Sequence, residues 1–156
     1  MTSAFPVEIC RVGQPWGAMG LAEAGTDMHE VGLASQIVGM VVREAERRKA
    51  SEVVAVTVTV GRLLQIERDS LQFGLDVLKG EHPCTEKTRF VLVEEPVQVH
   101  CSRCEATTVV DAWRFVCGAC GSGEVAVTRG DDLIVSEMEV NGIESIAGTA
   151  GNGSER

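Results

Sequence analysis

Apolar positions recur on a helical period from Met28 to about Lys49, where Val31, Ala34, Ile37, Val38, Val41, Val42 and Ala45 fall on one stripe. Thr26 or Asp27 is placed to cap this helix, and Glu30 lies in its first turn. Arg47, Arg48 and Lys49 end it, complementing the helix dipole. The period then changes from helical to alternating. Val54, Val56, Val58 and Val60 share one face of a strand, and Thr57 and Thr59 take the other, until Gly61 breaks it. A second helix is predicted from about Arg68 to Lys79, with Leu71, Leu75 and Leu78 buried and Gly80 as its stop. Gly74 in its middle costs about 1 kcal/mol relative to Ala, so it is expected to mark a close helix–sheet approach.

Thr88 to Glu95 reads as the next strand, with Phe90 and Leu92 on one face and Pro96 ending it. Leu133 to Val140 is a closing strand, with Ile134, Met138 and Val140 on one face, after a turn at Gly130-Asp-Asp. Between these strands lie Cys101-Ser-Arg-Cys104 and Cys117-Gly-Ala-Cys120, separated by twelve residues. Each Cys-x-x-Cys turn aims two sulfurs at one centre, and two such turns supply the four thiolates of a tetrahedral Zn²⁺ site. Residues 100–129 therefore read as a zinc ribbon, with Thr107–Asp111 and Trp113–Val116 as the arms of a hairpin in the spacer. A redox dithiol and disulfides are the blander alternatives, and iron accepts four thiolates too, so spacing alone leaves it open. Four protein ligands leave no position for a substrate, so the ion would be structural and the ribbon would fold with it.

The order helix, strand, helix, strand, ribbon, strand implies an α+β protein: a small α/β domain of two helices on a three-stranded sheet, interrupted by the ribbon. Its parts are residues 28–99 with 130–142 for the α/β domain, 100–129 for the ribbon, and a flexible tail at 143–156. Residues 1–27 hold no persistent period; they are either an extension or residues preceding the working start, with Met19 and Met28 as internal candidates. Cys10 in this stretch has no assigned role.

Composition changes the picture in two ways. The chain has 156 residues, 44% of them hydrophobic, and a formal charge of −9. A phosphate-binding surface would need the opposite sign. In the ribbon, Arg103 and Arg114 are offset by Glu105 and Asp111, so nucleic acid is not the expected partner. No segment approaches the roughly eighteen apolar residues of a membrane span. The N-terminus has no secretory pattern, and paired thiols without one favour a reducing, cytoplasmic setting.

No catalytic constellation is present, and no enzyme activity is expected. Three histidines exist: His29, His82 and His100. His82 and Cys84 share a Pro-containing loop, and His100 abuts Cys101, but neither spacing compels a site. His29 opens the first helix as Met28-His29-Glu30-Val31. That opening resembles the hydrogenase nickel incorporation proteins, the HypA/HybF family of metallochaperones, which begin Met-His-Glu. Val60-Gly61 with Ile66-Glu67-x-x-Ser70-Leu71-x-Phe73, the two Cys-x-x-Cys pairs, and Gly130 to Val140 resemble the family's later segments in order. The resemblance covers residues 28–141.

It implies delivery of Ni²⁺ during [NiFe]-hydrogenase maturation, in some members extending to urease. It also implies partners: a GTPase nickel chaperone of the HypB type and the hydrogenase large subunit, with a homodimer left open. His29 would be the nickel ligand, with Glu30 beside it, and Cys101, Cys104, Cys117 and Cys120 would hold zinc. Ni²⁺ favours nitrogen donors in a tetragonal set, which a free α-amine, backbone nitrogens and an imidazole provide. Met28 as written has no free α-amine, and a start at Met28 is the favoured resolution. A zinc-ribbon interaction adaptor and a thiol oxidoreductase are the competing readings.

Overall fold

The structure, a computed structural model, describes residues 8–11 (backbone only), 30–111 and 113–142. Residues 1–7 and 12–29, His29 among them, Ala112 and the tail at 143–156 lie outside the described residues. In chain order the elements are β1 (Glu8–Arg11), α1 (Glu30–Arg47), β2 (Glu52–Gly61), a 3-10 turn (Arg62–Leu64) and α2 (Arg68–Leu78). A second 3-10 turn (Lys79–Glu81) leads to β3 (Arg89–Glu95), followed by β4 (Gln98–Cys101), β5 (Thr107–Val109), β6 (Val125–Arg129) and β7 (Leu133–Asn141).

The expected α+β architecture is present. Two helices and a β7-β2-β3 sheet form the body, and a separate sheet of order β5-β4-β6 forms the ribbon. β2 and β3 run parallel with α2 as their crossover, and β7 returns antiparallel to β2 after the ribbon. A fourth strand, β1, adds to the outer edge of β7; the sequence pattern before Met28 had shown no element there. Among the described residues, no helix is long and apolar enough to cross a membrane.

The body core gathers Ile37 and Val41 of α1, Leu71 and Leu75 of α2, and Val56, Val58, Phe90, Leu92, Met138 and Val140 of the sheet. Burying each such side chain contributes roughly 1.5–3 kcal/mol relative to leaving it exposed. Three details differ from the sequence reading. Val31 is 57% exposed, and Leu33 takes its place on the buried face of α1. In β2, Val53 rather than Val54 is buried, because the pairing with β7 shifts between Val53 and Ala55. In β7, Leu133 and Val135 are buried rather than Ile134, because a second shift falls between Thr57 and Val58. Such bulges insert a residue and reverse which face follows. At the second, Ser136 donates its hydroxyl to the Thr57 carbonyl (3.1 Å) and accepts from Thr59 (3.2 Å).

Gly74 also has a different reason from the expected one. A Cβ there would lie 3.0 Å from the Ala34 Cβ, so this glycine lets α2 approach α1, not the sheet. The body and ribbon meet at a second close approach. A Cβ on Gly61 would lie 2.4 Å from the Gly130 carbonyl oxygen, and one on Gly130 would lie 2.6 Å from Val97 Cα. The Gly61 and Leu63 amides donate to the Asp132 and Gly130 carbonyls, each at 2.8 Å. Three backbones therefore stack where the chain enters and leaves the ribbon, and neither Gly61 nor Gly130 has room for a side chain.

Candidate metal centre

The ribbon core is small: Val97, Val99 and Val110 are buried, with Leu63, Val125 and Val127 partly buried against them. Its sheet does not use the hairpin expected in the spacer. β5 keeps the first arm but pairs with β4, whose other side pairs with β6. Trp113–Val116 is turn and loop instead, with Trp113 at φ +64°.

At the mouth of this sheet the two Cys-x-x-Cys turns repeat one backbone pattern. The Cys101 amide donates to the Ala106 carbonyl (2.9 Å), and the Cys117 amide donates to the Ser122 carbonyl (2.8 Å). The Glu105 amide returns to the Cys101 carbonyl and the Gly121 amide to the Cys117 carbonyl, each at 2.9 Å. Glu105 and Gly121 occupy the same place in the two turns, and both take positive φ, +60° and +72°. Glycine adopts that conformation freely; Glu105 adopts it at some cost.

The result is four sulfurs within 4.8 Å of one another. Cys101 and Cys120 Sγ are 3.7 Å apart, and Cys104 and Cys117 Sγ are 3.5 Å apart. A disulfide would need about 2.05 Å, and all four cysteines are free. Four sulfurs at about 2.3 Å from a central Zn²⁺ would sit about 3.8 Å apart on each tetrahedral edge. The donor set thus fits a closed tetrathiolate site.

The electrostatics also call for a cation. Backbone amides of Cys120 and Ala119 stabilise the Cys117 thiolate and hold its pKa down at about 6. The Ala106 amide favours the Cys104 thiolate as well, but the neighbouring sulfurs of Cys117, Cys120 and Cys101, together with desolvation, push it up to about 12. One thiolate forms easily and further ones repel it. Four together require a central positive charge. Cys101 and Cys117 are buried while Cys104 and Cys120 are exposed, so one side of the cluster faces solvent.

The other histidines stand apart from this cluster. His100 Nδ1 lies 3.4 Å from Thr107 Oγ1 on the exposed side of β4. His82 Nδ1 and Cys84 Sγ are 3.3 Å apart. Burial, the largest effect on it, pushes the Cys84 thiol up, and no third ligand joins the pair among the described residues.

His29 lies outside the described residues. Glu30 next to it begins α1, and Glu30, Val31, Asp69, Ser70 and Phe73 line an open groove between the first turns of the two helices. Asp69 of this groove had no role in the sequence pattern, and the 70%-exposed Phe73 entered only through the resemblance, with no place in a site. They stand forty residues from His29 in the chain, and only the α1–α2 packing brings them to its neighbour. A second cavity of about 240 Å³ spans the joint between body and ribbon, lined by Arg62, Gln65, Ile66, Arg68 and Leu92 from the body and Trp113 from the ribbon.

A two-helix, open-sheet body with an inserted four-cysteine ribbon defines a class of metal-handling α+β proteins, and the comparisons narrow it. Residues 28–140 match the family described as "Hydrogenase/urease nickel incorporation, metallochaperone, hypA", and the chain belongs to that family. Hydrogenase maturation factor HypA of Methanothermobacter thermautotrophicus is 35% identical over 120 residues, 72% of this chain and 97% of that protein. The HypA of Caldanaerobacter subterraneus subsp. tengcongensis is 33% identical over 114 residues, 72% of this chain and 99% of that protein. The solution structure of the Ni metallochaperone HypA from Helicobacter pylori superposes with a TM-score of 0.57 at 21% identity, covering 73% of this chain and 98% of that one. The chain is thus a member of a nickel metallochaperone family for hydrogenase maturation, with a cysteine cluster able to bind metal.

Proposed function

We propose that the protein carries Ni²⁺ on a site at His29 and delivers it for assembly of the [NiFe]-hydrogenase centre, while Cys101, Cys104, Cys117 and Cys120 hold a structural Zn²⁺. One observation carries the proposal: the family match begins at Met28, immediately before His29, and continues through both cysteine pairs to residue 140. Nickel is cargo here and zinc is scaffold. An imidazole with an α-amine and backbone nitrogens suits Ni²⁺ and leaves it exchangeable. Tetrathiolate coordination suits Zn²⁺ and leaves no open position. Glu30, which follows His29 in the chain, lines one groove with Asp69, and the two carboxylates would add a negative field that attracts the cation.

The amino-terminal clasp requires Met28 to be the first residue. In that form the protein would receive or pass nickel with a GTPase nickel chaperone of the HypB type, and the hydrogenase large subunit would be the client; urease is a second candidate client. The carrier itself performs no turnover. A zinc-ribbon adaptor without nickel delivery is the second reading, favoured by Trp113, Phe115 and Val116, which stand 49%, 39% and 41% exposed on the ribbon. Nickel titration of protein starting at Met28 decides between them. The His29→Ala variant should lose nickel uptake and keep its zinc; equal nickel affinity in the two proteins would leave the adaptor.

A further inference from the structure

The stretch before Met28 contributes a strand that the family match does not contain. β1 lies antiparallel on the outer edge of β7, with Glu8 opposite Val140, Ile9 opposite Glu139, Cys10 opposite Met138 and Arg11 opposite Glu137. It falls outside the matched residues 28–140. The HypA of Alkalilimnicola ehrlichii is covered over 100% of its length by a match of 114 residues, 73% of this chain. Its matched length leaves no room for a counterpart of this whole N-terminal stretch.

Without β1, β7 would be an edge strand. Its outward amides and carbonyls would form a row that accepts another extended backbone. Charge restricts what can lie there. Met138 and Val140 are buried, whereas Glu137 is exposed and Glu139 half-buried. In the register Arg11 falls opposite Glu137, a position at which a basic residue would suit the exposed carboxylate of β7. Two copies of β7 pairing antiparallel about Met138 would instead set Glu137 against Glu139. The edge therefore selects against a second β7 and for a segment with a basic residue opposite Glu137.

We propose that the outer edge of β7 is a strand-docking site, selective for a short extended segment with a basic residue opposite Glu137, and that residues 8–11 fill it in cis. Docked, they close the edge to other chains. Loss of residues 1–27 opens it. Combined with the nickel reading above, on which this last link alone rests, one truncation would both free the Met28 nitrogen and expose the docking edge.

Hydrogen exchange on the metal-loaded full chain tests the site without nickel. In the double variant Ile9→Pro, Cys10→Pro, a ladder donor is lost whichever residue faces β7. Exchange of those amides at 137–140 that point away from β2 should then rise at least about tenfold, with the β2-facing amides, α1 and α2 protected as before as the folding control. Unchanged exchange at 137–140 would overturn the proposal. A synthetic peptide of residues 6–13, added to protein starting at Met28, should restore protection there, and the same peptide with Arg11→Glu should not. Equal protection by both peptides would refute the charge selection, and a dimer protected at 137–140 without peptide would make a second copy the occupant. Nickel uptake by His29 is measured separately, so either reading can fail alone.

Discussion

The body and the ribbon of this molecule differ sharply in the apolar core each encloses. The body surrounds its core with two helices and a sheet, and Ile37, Leu71, Leu75, Val56 and Met138 are sealed at 0% exposure. The ribbon has three short strands, and its apolar cluster is Val97, Val99 and Val110, with Leu63, Val125 and Val127 partly buried against them. So small an apolar cluster cannot offset the conformational entropy of ordering some thirty residues, each costing about 1–2 kcal/mol in backbone freedom. On the proposed reading, an ion held by the four clustered cysteines would be the ribbon's second source of stability, of the order of 10–16 kcal/mol for structural zinc in small folds. Apolar burial holds one region, and the other would depend on its metal. They touch at a joint where backbones stack at Gly61 and Gly130 and Leu63 packs against the ribbon's valines.

Metal removal should break the comparison most sharply. Chelation, or Cys117→Ser, should abolish protection across residues 98–129, while the helical circular dichroism of α1 and α2 persists. Loss of both signals together would mean that the two regions share one folding unit. An intermediate effect is expected at the joint. Gly61→Ala places a methyl 2.4 Å from the Gly130 carbonyl, and backbone cannot yield as a side-chain tip does. A cost of about 1–3 kcal/mol follows, expressed in thermal melts and in faster exchange at both Leu63 and Asp132. A melt indistinguishable from the parent would show that the joint is loose.

The smallest effect belongs to the body's surface. Hydrogen bonds from Arg47, then Arg48, hold the Glu44 carboxyl below its usual value. A carboxylate depressed on folding contributes its stability in full above its unfolded pKa and loses it as pH falls through the folded one. Glu44→Gln should therefore cost a few tenths of a kcal/mol at neutral pH and nothing once both forms are protonated. Melts of parent and variant across the acidic range would show the difference closing; a constant difference would assign the effect to packing.

Much of this molecule was written locally. The two Cys-x-x-Cys turns, the helical stripe through Ala34, Ile37, Val38 and Val41, and the order of elements each depend on residues a few positions apart. So does Met28-His29-Glu30, although His29 itself lies outside the described residues. The failures share a different character. The burial of Val53 over Val54 and of Val135 over Ile134 depends on bulges in the β2–β7 pairing, which joins residues some eighty positions apart. A strict alternation read along one strand has no access to its partner's register. Gly74 looked like a helix–sheet contact because only α1 supplies Ala34 beneath it.

The sequence by itself determined the periods, the turns and the pairs of sulfurs that cluster, because hydrophobic repeat and short Cys-x-x-Cys spacing act within one or two turns of chain. The tertiary structure alone decided which faces were buried past each bulge, that Glu30 and Asp69 share a groove, that Trp113 faces the body across a cavity, and that Glu8–Arg11 closes the sheet. β1 is too short and too irregular in pattern to announce itself. It becomes a strand because β7 offers an unpaired row of backbone groups, and a hydrogen-bond partner of that kind appears only once the rest of the sheet is in place.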